Sequence, residues 1–420
     1  MTARRHVHDH DSGEGLISVE EARDRILASI AVLPPVQLPL RESHGCVLAE
    51  DVTAADDIPP FTSSAMDGFA VRARDVAAST PDRPTALTIA GEVTMGHRPE
   101  VAVPAGGAVR VPTGGVMPEG SDCVVPIENC LVEEQRVLVF QASEPGRYVR
   151  PEGEDARPGD VLVPAGRRLL APDLGLLATA GRGSVWVHPR PHVAIFSTGD
   201  ELVEAGTPAS AGQVPDANSV TLSSAIRETG AHPLQPSIIP DDPKSLRDGI
   251  RSVAGVADVL VASGGVSVGE LDPVRGAFVD SGDVDFYGVA MQPGMPQAFG
   301  VVGGKPFFGL PGNPVSVFVS FEVFVRPALL KMMGRRSLFR PEVTARLETD
   351  IAGPREKTQF AGVRVRKDGD EWTAASTGPR QSNLMSTASR ANGLAIIPAG
   401  LPGLRAGDRC TVMPFREIED

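Results

Sequence analysis

Asp258-Val-Leu-Val-Ala-Ser263-Gly-Gly-Val-Ser-Val-Gly269 sets a short apolar run directly against a glycine-rich loop. A run of this length, apolar without alternation, is the pattern of a strand buried on both faces. Its neighbours repeat the theme. Residues 192–197 read as a strand that runs into Thr198-Gly-Asp-Glu201, and 236–239 as another that runs into Asp241-Asp-Pro243. A third, 306–310, leads through Pro311-Gly-Asn-Pro314 into an apolar helix over 315–333. Between them lie helices from Asn218 or Ser219 to Glu228, closed by Gly230, and from Asp241-Asp-Pro243 to Ala254. Strands alternating with helices predict a doubly wound, mostly parallel sheet over 191–339.

On either side of this segment the texture changes. Ser18-Val-Glu-Glu21 forms a capping box, and Val19, Ala22, Ile26, Ile30 and Leu33 follow at helical spacing until Pro34-Pro35. From 54 to 152, short β-branched runs at 86–90, 108–112, 123–126 and 137–140 alternate with Gly, Pro and Asp, as in a small β domain. A helix over 172–180 and a strand over 185–188 follow. Residues 340–420 return to short strands at 343–347, 361–366, 372–375, 394–398 and 408–414, a second small β domain. Residues 1–15 read as a flexible tail in which His6, His8 and His10 alternate. No internal repeat is visible.

Composition narrows the function. With 420 residues, about three folding units are expected, and 41% hydrophobic content excludes wholesale disorder. The 40 Lys and Arg against 53 Asp and Glu give a net charge of −13, which argues against a nucleic-acid coat but not against a small anionic ligand. Cys46, Cys123, Cys130 and Cys410 form no C-x-x-C pair, so zinc ribbons and thioredoxin-type motifs are unsupported and free thiols in a reducing cytoplasm are expected. Neither a secretion signal nor a run of 18 apolar residues is present, which predicts no membrane insertion.

In an open α/β sheet, ligands bind beyond the carboxyl ends of the strands. Four loops leave at that end. Thr198-Gly-Asp-Glu201 and Pro240-Asp-Asp-Pro243 each bring two carboxylates, and the segment 263–272 combines glycines and serines with Glu270 and Asp272. Pro311-Gly-Asn-Pro-Val-Ser316 opens a helix whose free N–H groups suit an anion. Carboxylates around phosphate-sized cradles point to a hard cation such as Mg²⁺ between protein and phosphate. Taken singly each loop has a plainer use, that of Asp241 being the cap of the next helix; the glycine loop matches neither Walker A nor G-x-G-x-x-G.

Ser64-Ala-Met-Asp-Gly68, Pro112-Thr-Gly-Gly115, Arg150-Pro-Glu-Gly-Glu-Asp155, Ser197-Thr-Gly-Asp-Glu-Leu202, Ser263-Gly-Gly-Val-Ser-Val-Gly269 and Leu310-Pro-Gly-Asn-Pro-Val-Ser316 occur in one order along the chain. In these six motifs the chain closely resembles the MoeA proteins, which insert molybdenum, and the homologous E domain of gephyrin. The resemblance covers residues 16–415. It implies an elongated homodimer with a discontinuous linker domain (16–53 and 153–190), an inserted β domain (54–152), a molybdopterin-binding α/β domain (191–339) and a C-terminal β-barrel (340–420). It implies a reaction in which adenylylated molybdopterin and molybdate yield the molybdenum cofactor and AMP with the help of Mg²⁺. Catalytic roles then fall on Asp67, Thr113, Glu201, Asp241 and Asp272, the last three as metal ligands. Gly199, Ser263, Gly264, Gly265, Ser267, Gly312, Asn313, Ser316 and Ser382 would hold the substrates, Ser382 by a looser match.

The chain also departs from the family. Positions that are commonly lysine are Gly288, Gln292 and Met295, and a family arginine two residues after an aromatic is Gly362, after Phe360. An oxyanion site stripped of cations is weakened. The alternative implied by that loss is a gephyrin-like scaffold, binding a peptide of a membrane receptor or of a tubulin-like division polymer near the dimer interface. A molybdopterin adenylyltransferase shares the α/β domain but lacks the flanking β domains.

Overall fold

A computed structural model of the chain describes residues 15–266, 273–278, 284–379 and 382–418. These fall into two compact units, one of residues 38–44 and 50–185, the other of the remainder.

The first unit is built on a six-stranded sheet. Its strands run in the order Cys123–Pro126, Gly68–Val71, Gly107–Val111, Thr85–Glu92, Arg136–Val139, Cys130–Glu133. All neighbours are antiparallel except Thr85–Glu92 with Gly107–Val111. Gly68–Val71 is buried along its whole length, with Phe69 and Val71 packed on one cluster and Ala70 on another. Gly68 is required by close approach, since a β-carbon there would lie 2.1 Å from the Val125 carbonyl oxygen. The helix expected over 172–180 is Ala171–Thr179, with the Asp173 carboxylate accepting from the Leu170 N–H at 2.8 Å.

The second unit carries the expected α/β sheet. Across it the strands run His232–Pro233 with Ser237–Ile239, then His192–Thr198, Val259–Ser263, Lys305–Leu310, Pro296–Val302 and Val284–Gly288. The first four positions are mutually parallel, and Pro296–Val302 is antiparallel to both its neighbours. These last two strands, with the short Met291–Gln292, have no counterpart among the sequence expectations. Gly and Pro interrupt the region, and its strands are made by pairing across the sheet instead of by a repeating apolar run.

The cores lie on both faces of this sheet. On one, Val193, Ile195, Val259, Val261, Phe308 and Leu310 pack with the helices Val19–Ser29 and Ala217–Thr229 and with the apolar helix after residue 313. On the other, Ala194, Phe196, Leu260, Ala262 and Phe307 pack with the helix Pro243–Val253. Half of the expected capping box forms: Ser18 Oγ accepts from the Glu21 N–H at 3.0 Å, while the Glu21 carboxylate pairs with Arg25 one turn on. The helix ends at Ser29 and not at Leu33. The long helix expected over 315–333 is three pieces, Pro314–Ser320, a π turn Phe321–Val325, and Arg326–Met332. Within the π turn Glu322 is buried, 1% exposed in its side chain, and accepts a two-point bond from Arg340 at 2.6 and 3.0 Å.

The C-terminal strands close on themselves. Thr358–Asp368, Glu371–Ser376, Val343–Leu347, Arg409–Pro414 and Gly393–Ile397 follow in order, and the last pairs back onto the first, making a small barrel around Leu347, Val363, Val365, Ala374 and Val412. Met291–Gln292 adds to its edge in parallel with Thr358 and Gln359. Among the described residues, no helix is long and apolar enough to cross a membrane.

Candidate functional site

The position of the site follows from strand order. From His192–Thr198 the chain steps outward to Ser237–Ile239, then returns to the opposite side of its starting strand at Val259–Ser263. The two connections leave in opposite directions, so a crevice opens beyond the carboxyl ends of His192–Thr198 and Val259–Ser263. Ser197, Thr198, Ser263 and Gly264 stand at its floor. Ser263 Oγ lies 3.4 Å from Ser197 Oγ, and Thr198 Oγ1 lies 3.4 Å from the Ser263 carbonyl oxygen.

Gly264 and Gly265 take positive φ values, +90° and +70°. Gly264 has no alternative residue: a β-carbon would stand 2.8 Å from both the carbonyl oxygen and the hydroxyl of Thr198. Its N–H donates to the Leu310 carbonyl at 3.0 Å, so the glycine loop is tied to strands on both sides. From the next strand, Gly312 approaches the Gly264 Cα, and its carbonyl accepts from Asn218 Nδ2 at 2.8 Å. Asn218 is held by its helix, which Asp216 caps through the Ser219 N–H at 3.0 Å. Among the described residues the buried Asn218 Oδ1 finds no partner. Asp200 belongs to an expected carboxylate loop but has no expected role, and Asn218 is expected only as a helix start. Asn218 had a legible signal, an Asp cap two residues ahead of it.

The carboxylates sit on the neighbouring loops. Asp242, not Asp241, caps the helix Pro243–Val253, accepting from the Ser245 N–H at 2.7 Å. The plainer use of Asp241 is therefore taken by its neighbour. The Asp241 N–H donates to Asp200 Oδ1 at 3.1 Å, which brings the loops after His192–Thr198 and Ser237–Ile239 together. The Asp241 carboxyl is pushed above the ordinary range, first by partial desolvation and then by the negative charges of Asp200 and Glu201. Oxygen-only, like-charged groups of this kind suit a hard divalent cation. Among the described residues no three His, Cys, Asp or Glu side chains approach closely enough to hold a metal by themselves. Ser267 and Asp272 of the expected set lie outside the described residues, as do His6, His8 and His10.

Ser316 is buried in the first turn of the helix that Asn313 opens. Asn313 Nδ2 donates to Ser382 Oγ at 3.0 Å, and the Val315 N–H donates to the Ser382 carbonyl at 3.0 Å. Ser382, the loosest of the sequence matches, thus stands against the 311–316 turn. Beside it is a small cavity lined by Gln292, Pro293, Gln359, Gly362, Thr377 and Thr387 among others. Here lie two of the four departures, Gln292 and Gly362.

Asp67 and Thr113 pair within the first unit. Asp67 Oδ1 accepts from the Thr113 N–H at 2.7 Å and from its hydroxyl at 3.0 Å. These bonds, backbone first, hold the Asp67 carboxyl below its ordinary range, with Arg110 adding to the effect. The carboxylate is exposed, ionised and fixed in direction.

Three family models match this chain in succession: the MoeA N-terminal region (domain I and II) over residues 17–181, a probable molybdopterin binding domain over 194–331, and the MoeA C-terminal region (domain IV) over 344–415. The chain is 37% identical over 401 residues to molybdopterin molybdenumtransferase 2 of Mycobacterium tuberculosis, covering 94% of this chain and 98% of that one. It is 31% identical to molybdopterin molybdenumtransferase of Haemophilus influenzae, covering 96% and 100%. A solved molybdopterin biosynthesis MoeA protein of Pyrococcus horikoshii superposes with a TM-score of 0.79 at 31% identity, covering 96% of this chain and 100% of that one.

Proposed function

The chain belongs to the MoeA family of molybdopterin molybdenumtransferases, transferases of molybdenum cofactor biosynthesis, and on that premise we propose that it inserts molybdenum from molybdate into adenylylated molybdopterin and releases AMP. One observation supports the assignment of the α/β loops above the rest. The reversal of strand order opens a crevice whose rim carries glycine loops at 263–265 and 311–313 and carboxylates at Asp200, Glu201 and Asp241. The backbone N–H groups of Gly265 and Gly312, beside a Gly264 pinned to Leu310, suit the phosphate of the adenylylated substrate.

Glu201 and Asp241, with Asp272, would hold Mg²⁺, which supplies charge to a phosphate facing three carboxylates. The residues fit that ion: the Asp241 carboxyl is raised first by desolvation and then by the negative charges of Asp200 and Glu201, which a cation offsets. Asp67, oriented by Thr113, is the site group of the inserted β domain, and Gly199, Ser263, Ser316, Asn313 and Ser382 complete the cradle. We read the functional protein as a cytoplasmic homodimer with the four-domain division at 53, 152, 190 and 339. The scaffold reading has less behind it, because the relatives along the whole chain carry the name of a transferase.

The test is formation of molybdenum cofactor and AMP by the purified chain from adenylylated molybdopterin, molybdate and Mg²⁺, with the mass in solution measured alongside. Turnover that Asp241→Asn abolishes supports the assignment. A wild-type protein that binds the adenylylated substrate without converting it overturns the enzymatic reading and revives the scaffold.

A further inference from the structure

The C-terminal barrel carries an open groove of about 1010 Å³ on its outer face. Its described lining sets Arg364, Arg366, Arg390 and Arg416 against one acid, Glu417, and holds no lysine and no aromatic side chain. Such a concentration of guanidinium groups contrasts with a chain whose net charge is −13.

The backbone fixes where these arginines stand. In the strand Thr358–Asp368, Val363 and Val365 point into the barrel core, so Arg364 and Arg366 alternate with them onto the exposed face. Same-face residues of a strand repeat at about 7 Å. Arg390 ends the helix Met385–Arg390, and one of its nitrogens donates to the Thr377 carbonyl at 3.2 Å. Arg416 donates to the carbonyl of Ser389, in the last turn of the same helix, at 2.8 Å. Both acceptors are neutral and each occupies one nitrogen of a five-donor fork. Among the described residues neither Arg390 nor Arg416 has a carboxylate within ion-pair distance. Arg366 pairs with Glu348 at 2.7 Å, an exposed pair that a second carboxylate displaces at little cost. Asn392 stiffens the floor, because its amide accepts from the Val365 N–H at 2.7 Å and donates to the Val365 carbonyl at 2.8 Å, as a neighbouring strand would.

Guanidinium forks select carboxylates and phosphates. Single-stranded nucleic acid wants aromatic platforms and a basic protein, and neither is offered here. A lone oxyanion is far smaller than the groove. An extended peptide with acids at alternate positions presents carboxylates at the same repeat of about 7 Å as Arg364 and Arg366. We propose that the groove docks an extended acidic segment of a partner protein, with its carboxylates set against Arg364, Arg366, Arg390 and Arg416. An acidic partner meets net repulsion from a chain of charge −13, so the groove decides where it lands. None of the four arginines has a role in the insertion reading, and the docking stands or falls separately from it.

The experiment measures fluorescence anisotropy of a labelled octaglutamate peptide on the purified full-length chain. Binding is expected at low salt and should weaken as salt rises. Arg364→Glu combined with Arg390→Glu should weaken it by about tenfold or more. Arg390→Gln, which keeps a donor for the Thr377 carbonyl without the charge, should act in the same direction and serves if the double variant folds poorly. The control is Arg83→Glu combined with Arg136→Glu, matched in charge and exposed in the other compact unit, which should change binding little. No octaglutamate binding at low salt, or an equal loss in the control, overturns the groove as a peptide site. Tripolyphosphate or oligothymidylate held more tightly than octaglutamate, and lost in the same arginine variants, overturns the peptide and assigns the groove to a phosphate ligand.

Discussion

Replacing Gly264 with alanine tests the floor of the crevice. An L-residue held at φ +90° costs about 1–2 kcal/mol. The added β-carbon would stand 2.8 Å from the Thr198 carbonyl oxygen and hydroxyl. The oxygen belongs to a central strand and has no room to retreat, and overpacking of this kind costs about 1–3 kcal/mol more. The loop is simultaneously held from the other side by the Gly264 N–H bond to Leu310, so it cannot lift without losing that bond. The combined cost is about 2 kcal/mol at the least, and the closed state of the loop should weaken by about thirtyfold or more. Hydrogen exchange of peptides spanning 259–266 reads this directly, since it follows local opening and needs no two-state unfolding of a multidomain chain. Gly255→Ala is the control, because a β-carbon there meets nothing within 4 Å and the residue has no positive φ. Affinity for the adenylylated substrate should fall with Gly264→Ala and hold with Gly255→Ala. Exchange and affinity in Gly264→Ala indistinguishable from the control would refute the account of a loop pinned between two strands.

Three further outcomes are expected. Thr113→Val removes one of the two bonds to Asp67 and should raise its carboxyl pKa toward the ordinary value in an NMR titration. The sign follows from linkage: a carboxyl held low contributes stability above its unfolded pKa and loses it as pH falls through the folded one. Asp241 has the opposite sense, since its raised pKa favours the folded state at low pH and that advantage fades as pH rises through the raised value; Glu201→Gln should lower it, and no movement would separate the two carboxylates. Glu322→Gln leaves half-buried Arg340 and Arg326 without their shared carboxylate; breaking a buried pair costs about 3–5 kcal/mol and this one sits at the lower end, so the thermal transition of the chain should fall by more than about 2 °C. An unchanged transition would show that the ion pair in the π turn is replaceable by a neutral hydrogen bond.

Much of the molecule was legible before any coordinates. Patterns that are local in the chain carried it: the apolar runs of the parallel strands, the Ser18 cap and the helix-closing Gly230. Each reports a few residues interacting with their own neighbours, which is why each landed close to its expected place. Four loops gathering at one end of a sheet was also foreseeable, because a parallel sheet with crossover helices leaves every loop of one kind at one end.

What lay beyond the sequence was decided by strand order and by contacts between distant segments. Antiparallel Val284–Gly288 and Pro296–Val302 owe their existence to partners across the sheet, not to a pattern of their own. The π turn at Phe321–Val325 surrounds a charge, Glu322, whose two-point partner Arg340 lies outside the helix and whose longer contact, Arg326, lies in the next turn. Which of two adjacent aspartates caps a helix was decided by the turn, where Asp242 accepts from the Ser245 N–H and Asp241 instead donates its own N–H to Asp200. The Lys357 ammonium meets the sulfur of Met295 from 62 residues away in the chain. Periodicity and spacing record only what a residue does within its own element; charge compensation is settled by distance in space, and only the packed tertiary structure sets that distance.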